Sequence, residues 1–267
     1  MESYPYWQTQ EAGKPLFPDI EWSKPERRDQ AGNLAIIGGS KLGFAGVAEA
    51  YAQTLEAGVG SVKVLLPDIL KKTIPPTMTD VIFGATNPSG SLAKDALSEM
   101  HAIGAWASGV LLIGDAGRNS ETAIAYEDFI REYKGLLTIS RDAVDLVKNS
   151  SQLLVERPNT LLVVSFAQLQ KLFQAVYYPK ILTFSMQLAQ LVEAAHKFTI
   201  TYPCSIAVLH KDHIIIAHEG NVVTQPWDNA MAIWRGSVAA RAASYWLWNH
   251  SQVLKAVTTS LDFREEA

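Results

Sequence analysis

The segment from Asn33 to Pro67 constrains this chain more than any other. The apolar run Asn33–Gly38 closes on glycine and reads as a buried strand. A glycine-rich loop, 38–46, leads into the small-residue stretch Val47–Ala57, which reads as a helix stopped by Gly58. Ser61–Leu66 is then a second strand. Strand, loop, helix, strand is the unit from which a parallel sheet is built, because the helix returns the chain to the same sheet edge.

The alternation continues. Val110–Ile113, Leu136–Ser140 and Leu161–Val164 read as strands, and Glu121–Tyr133, Leu169–Tyr177 and Ser185–His196 as helices. Ser205–Leu209 and His213–Ala217 are strands, and Glu219–Gly220–Asn221 predicts a hairpin turn into Val222–Thr224. From Asn229 to Leu254 the chain is helix-compatible, with Gly236 as a weak interruption. Hydrophobic residues make up 48% of the 267 and charged residues 19%, enough apolar matter for a sizeable core. The expectation is an α/β fold of three layers, with a mainly parallel central sheet and a ligand crevice at the carboxyl ends of its strands. Pro5, Pro15, Pro18 and Pro25 break helix near the start, so residues 1–31 predict an N-terminal arm and 32–267 a single domain.

Several functional classes are disfavoured. The formal net charge is −4, and no Lys/Arg cluster is longer than Arg27–Arg28 or Lys71–Lys72, so nucleic acid is not an expected partner. No apolar run approaches ~18 residues, and the first residues lack a basic-then-apolar pattern. A membrane partner is therefore not expected, and a cytoplasmic home follows by default. Cys204, the single cysteine, reads as a buried small hydrophobe. His210, His213 and His218 lie in a strand-like stretch with no clustered carboxylate or thiol, so no metal site is expected there.

The glycine loop Gly38-Gly39-Ser40, between a strand and a helix, is a place where backbone N–H groups can approach an anion. With Ile36-Ile37 before it, then Ala45-Gly46, Leu55-Glu-Ala-Gly-Val-Gly60 and Val62-Lys-Val-Leu-Leu-Pro67, it resembles the N-terminal motif of the NAD(P)H-hydrate dehydratases of the ribokinase superfamily. The resemblance runs on in order over roughly residues 32–250. Leu112-Ile-Gly-Asp-Ala-Gly117 resembles that family's Gly-Pro-Gly-Leu-Gly, with Gly114 matched and Asp115 to Arg118 replacing the rest. Ile139-Ser-Arg-Asp-Ala-Val144 resembles Asp-Ala-Asp-Ala-Leu, with Asp142 matching the second acid and Ser140 in place of the first. Leu162 to Gln168 occupies the place of Thr-Pro-His-Pro-Gly-Glu, with Ser165 for the histidine and Gln168 for the glutamate, and Val208 to Lys211 that of Leu-Lys-Gly.

The last motif departs furthest. The family carries Gly-(Ser/Thr)-Gly-Asp at a helix N-terminus, with amides that hold phosphate oxygens and an aspartate general base. Here Asn229, Ala230 and Met231 replace the Gly-Ser-Gly, and Ala232 stands at the base position. Asp228 is the nearest candidate substitute, with a helix N-cap as its structural alternative. Asp142 is equally open between holding a metal or water near phosphates and starting a helix. Trp227, Trp234, Trp246 and Trp248 read as core or subunit interface before base-stacking groups. Arg235 and Arg241 fall on different helix faces and form no clamp.

The resemblance implies a ribokinase-like fold, ADP or ATP with Mg2+ as co-substrate, an NAD(P)H-type ligand and a homo-oligomer. The implied nucleotide and substrate positions are Gly38, Gly39, Ser40, Gly114, Asp115, Gly117, Asp142 and Asn229. The reading is a diverged homologue that binds a nucleotide with weak or lost catalysis. Its alternatives are an active lyase using a relocated base such as Asp228, and a partner subunit whose pocket is closed by residues such as Phe166 and Met231.

Overall fold

In the computed structural model, which describes residues 4–11 and 13–262, ten strands form one sheet. In chain order the elements are β1 (Trp7–Thr9), α1 (Asp19–Trp22), β2 (Asn33–Gly38), α2 (Ala45–Ala57), β3 (Ser61–Pro67), β4 (Val81–Gly84), α3 (Leu97–Trp106), β5 (Gly109–Gly114), α4 (Ser120–Glu132) and β6 (Leu136–Ser140). There follow α5 (Asp142–Leu146), α6 (Ser151–Glu156), β7 (Thr160–Ser165), α7 (Phe166–Ala175), α8 (Leu188–Thr201), β8 (Ser205–His210), β9 (His213–His218), β10 (Asn221–Pro226), α9 (Ala230–Arg235), α10 (Ser237–Trp248) and α11 (Val253–Ser260).

The spatial order is β1-β10-β9-β8-β7-β6-β5-β2-β3-β4. Every pairing is parallel except those of β9 with β8 and β10. From β2 the chain winds outward through β3 and β4, then returns to the other side of β2 with β5. That reversal places a topological switch point between β2 and β5, where open α/β sheets leave a crevice at their carboxyl ends.

The central strands are apolar on both faces because helices cover both. One core joins Ile37, Leu112, Ile139 and Val164 to Met100, Tyr126, Phe129 and Phe173 under α3 to α8. The other joins Ile36, Leu111, Ile113 and Val163 to Val47, Ile233, Val238 and Trp246 under α2, α9, α10 and α11. Alternation along each strand sends neighbouring residues to opposite cores.

The expected helix over Asn229–Leu254 is two helices, with a third element beginning at Val253. Gly236 breaks it at φ 103°, where an added Cβ would come within 2.8 Å of the Ile113 side chain. The hairpin at Glu219–Gly220 has positive φ at both turn residues, the arrangement that suits the twist of paired strands. Trp7–Thr9, in the segment expected to be an arm, adds an edge strand to β10, and the Trp7 indole donates to the Thr224 hydroxyl at 2.9 Å. Cys204 is buried, which pushes its thiol up to about 12.

Arg157 joins the bottoms of β6 and β7. Its guanidinium donates to the carbonyls of Tyr133, Gly135, Pro158 and Asn159 and to the Thr160 hydroxyl, and burial lowers its pKa to about 10. Arg157→Ala strands these buried acceptors and is expected to cost about 3 kcal/mol in urea-denaturation experiments. A loss within ~0.5 kcal/mol, the range of an ordinary surface substitution, would contradict this role.

Candidate functional site

The crevice at the switch point is built by four chain segments. β2 ends in Gly38, which pairs with Gly114 at the end of β5 across a register shift. Beyond them the chain turns into Asp115 on one side and into the loop before α2 on the other. β6 ends in Ser140, followed by Arg141 and Asp142, and α9 runs in from β10.

An ion pair fills the space between these segments. The Arg141 guanidinium donates to the Asp115 carboxylate and, on its other side, to the carbonyl oxygens of Trp234 and Arg235 at the end of α9. The second oxygen of Asp115 accepts the Gly46 amide, in the first turn of α2, at 2.6 Å. The side chains of Arg141 and Asp115 are only 20% and 17% exposed. Asp142 completes the arrangement by accepting the Asp115 amide at 2.7 Å.

The local backbone is unusual. Asp115 and Arg141 both lie at positive φ, 54° and 57°, a region that costs a non-glycine residue energy. Gly46 is needed for lack of a side chain: a Cβ there would lie 2.6 Å from the guanidinium carbon of Arg141. Gly114, at φ 96°, would place a Cβ 2.1 Å from Asp142 Oδ1.

The expected phosphate-cradle amides have partners inside the chain. Gly39 N–H donates to Gly114 O at 2.9 Å, Ser40 N–H to Gly43 O at 3.0 Å, and Lys41 N–H to Gly90 O at 2.7 Å. Gly117 lies against the Ser91 side chain rather than beside Arg141. Asn229 caps α9, its side chain accepting the Ala232 amide at 3.2 Å. Ala232 is buried in that first turn, and Asp228 is exposed in the loop before it. Of the two residues suited to cap the helix, Asn229 does so. Met231, expected to close the crevice, is instead 52% exposed, whereas Phe166 is buried beside His210. The closing group is Arg141.

Other positions singled out by the sequence resemblance are also tied up locally. Ser165 and Gln168 form a capping box that starts α7, and the Gln168 amide donates to Arg141 O and to Asp145, each at 2.7 Å. Asp145 thus supports the Arg141 backbone while lining a separate groove of about 420 Å³ with Lys148 and Lys171. His210, His213 and His218 bond separately to Met186 O, Asp212 and Ser205, and among the described residues no three His, Cys, Asp or Glu side chains gather to hold a metal. Trp246 is core, the Trp248 indole donates to Ala31 O, and Trp234 is half exposed.

Sequence reading passed over Arg141, although it stands beside the matched Asp142. Its signal is conformational, a positive φ aiming the side chain inward, and no residue pattern displays that. Burial raises the Asp142 pKa, with the charge of Asp115 adding to it and the Asp115 amide and Arg141 pulling the other way. Tyr126, wholly buried with no hydrogen-bond partner for its hydroxyl, feels both carboxylates, which add to burial in raising its pKa.

Two outcomes follow from this geometry. At an ordinary helix position Gly→Ala is worth about 1 kcal/mol of added stability. Gly46→Ala is expected to do the opposite, lowering the thermal midpoint by displacing Arg141, and a raised midpoint would contradict the packing. For Asp142, a raised folded-state pKa means that the folded chain holds the proton more tightly. Its favourable contribution is full below the ordinary carboxylate value and fades as pH rises through the raised one. Asp142→Asn keeps an acceptor for the Asp115 amide, so its stability relative to the parent should improve from about pH 4 to pH 7. Parallel pH–stability curves would show that the burial of this charge has no net effect.

No protein-family model and no curated protein matches the chain. Solved structures do. A ribokinase-like superfamily protein from Enterococcus faecalis V583 superposes with a TM-score of 0.73 at 12% identity, covering 98% of this chain and 88% of the other. YxkO of Bacillus subtilis, a member of the UPF0031 family, gives 0.64 at 12% identity over 92% and 86% of the two chains. The ADP/ATP-dependent NAD(P)H-hydrate dehydratase of Bacillus subtilis, co-crystallised with ATP/Mg2+ and soaked with CoA, gives 0.62 at 14% identity over the same shares. Identities this low speak for architecture and not for activity. With its mainly parallel sheet flanked by helices and its switch-point crevice, the chain has the ribokinase-like fold.

Proposed function

We propose that this protein is a non-catalytic member of the ribokinase-like fold, one that acts through what it binds or partners and not through phosphoryl transfer or dehydration. The observation that carries this is the start of α9, where the resemblance calls for glycines and an aspartate. Ala232, the residue the resemblance aligns with the base, presents a buried methyl group, and the Asn229 side-chain oxygen is taken up by the helix cap. Without a positioned base the proton-transfer contribution, typically ~10²–10⁴ in rate, is forfeited. The preorganised amides that would stabilise phosphoryl oxygens are engaged as well.

ADP or ATP with Mg2+ fits these residues poorly. Arg141 fills the crevice in front of Gly46, the loop amides of Gly39 to Lys41 donate to carbonyls, and Asp142 is committed to the Asp115 amide. The reading is therefore a closed crevice, with the apolar groups on nearby surface segments turned outward. Leu42, after β2, is 86% exposed and Trp234, in α9, 54%. Groups of this kind suit contact with another protein surface or another copy of this chain.

The test is conversion of hydrated NADH in the presence of ATP or ADP with Mg2+. No turnover above the buffer rate is expected. Turnover that disappears in Asp228→Asn would overturn the reading and identify a relocated base. A thermal-shift series with ATP, ADP, NADH and NADPH is expected to show no stabilisation, whereas a ligand at 100 times its Kd would add about 2.7 kcal/mol.

A further inference from the structure

The contacts of Asp115 are those of a bound anion. Its carboxylate is held by a guanidinium, Arg141, and by the first-turn amide of a 13-residue helix, Gly46 in α2. Both donors lie at the switch point of the sheet, where this architecture leaves room for ligands. A helix N-terminus and a planar guanidinium together favour an oxyanion over any other ligand chemistry. The surroundings point the same way. The Tyr126 hydroxyl is fully buried, lacks a partner, and lies within electrostatic reach of Asp115 and Asp142, and the Ser140 hydroxyl at the end of β6 is likewise buried and unpartnered. Arg141 Nε also has no acceptor. Arg141 thus keeps donor capacity that the chain's own acceptors do not use. Asp115 itself is held at φ 54°, where aspartate is tolerated and glycine preferred.

We infer that Arg141 and the Gly46 amide form a binding site for a small oxyanion, a carboxylate or monophosphate group, and that Asp115 is a tethered occupant that keeps it closed at rest. An external oxyanion enters only when the Asp115 side chain leaves. No covalent step is involved: one carboxylate exchanges for another anion on the same two donors. The inference concerns resting occupancy and holds whether or not the chain turns over a substrate, so the turnover assay and the test below fail independently.

The test is chemical rescue. Asp115→Gly removes the carboxylate and suits the local φ. Its thermal midpoint is expected to fall below that of the parent, and sodium formate or acetate should restore most of the loss along a saturating curve, where sodium chloride at matched ionic strength does not. Inorganic phosphate is the second arm. Rescue by formate alone marks a site sized for a carboxylate, and rescue by both marks one open to monophosphates, each outcome supporting the site. The parent should show no difference between formate and chloride, because its own carboxylate competes. Adding Arg141→Ala to Asp115→Gly should abolish the difference. An equal response to formate and chloride, or undiminished rescue in the double variant, overturns the inference. Should Asp115→Gly not fold, Asp115→Ser, which also lacks the carboxylate, takes its place. Recovery of soluble protein in formate but not in chloride then counts in favour, and failure in both counts against.

Discussion

The Arg141–Asp115 ion pair determines what the rest of this crevice can be. It ties the ends of β5 and β6 to the start of α2 and the end of α9, four segments distant in sequence. Its polarity matches its surroundings on both sides. The carboxylate meets the amide end of one helix, and the guanidinium meets the carbonyl end of another, each being the end whose partial charge it complements. A partly buried pair is a net gain only when its remaining hydrogen-bonding groups are satisfied, since desolvation otherwise outweighs attraction. Here the second oxygen of Asp115 and the second nitrogen of Arg141 each find a backbone partner, so the condition is largely met. Gly46, Gly114 and the two positive-φ residues are the local requirements of that one contact.

This fold ordinarily leaves its switch point open because the connections that follow the two adjacent strands run to opposite faces of the sheet. The present chain uses the gap as a structural joint. The same donors that would recognise a ligand's anion now stabilise the assembly of α2, α9 and the central strands. A ligand would have to replace those contacts as well as make its own. The fold and the closed state are therefore coupled, and the cost of opening the crevice is paid from the stability of the helices that frame it.

The central strands were legible because burial on both faces demands runs of Val, Ile and Leu, and such runs in β2, β5, β6, β7 and β8 have few other uses. The glycine turns that end β2 and β5 were legible for a similar reason. The edge elements were not. Val81–Gly84 is short and only partly buried, and Trp7–Thr9 owes its strand character to its pairing with β10. Leu97–Trp106 carries Gly104, His101 and Trp106 in one short helix, so its apolar periodicity is weak. The break at Gly236 depends on the Ile113 side chain opposite, a residue far away in sequence. In the site, the identities at 229–232 could be read letter by letter. The group that fills the crevice could not, because it is set by the sign of φ at Arg141 and the absence of a Cβ at Gly46. Bulk at Met231 was a reasonable expectation from sequence, but in the first turn of α9 that position faces outward.

An active site must keep polar groups unsatisfied until substrate arrives, and that readiness costs stability. At the positions where the resemblance calls for chemistry, this chain does the reverse. Ser165 and Gln168 satisfy each other at the start of α7, Asn229 satisfies α9, Asp142 accepts the amide of Asp115, and Asp115 is clasped by Arg141. Each replacement converts a group that would await a ligand into one that finishes a helix end or a turn. Among the described residues, the buried side-chain atoms without a partner include the hydroxyls of Tyr126 and Ser140 and the Nε of Arg141. None of these is a base at neutral pH, and burial and the nearby carboxylates push the Tyr126 phenol further from ionising. What is left over is donor capacity, which suits holding an anion.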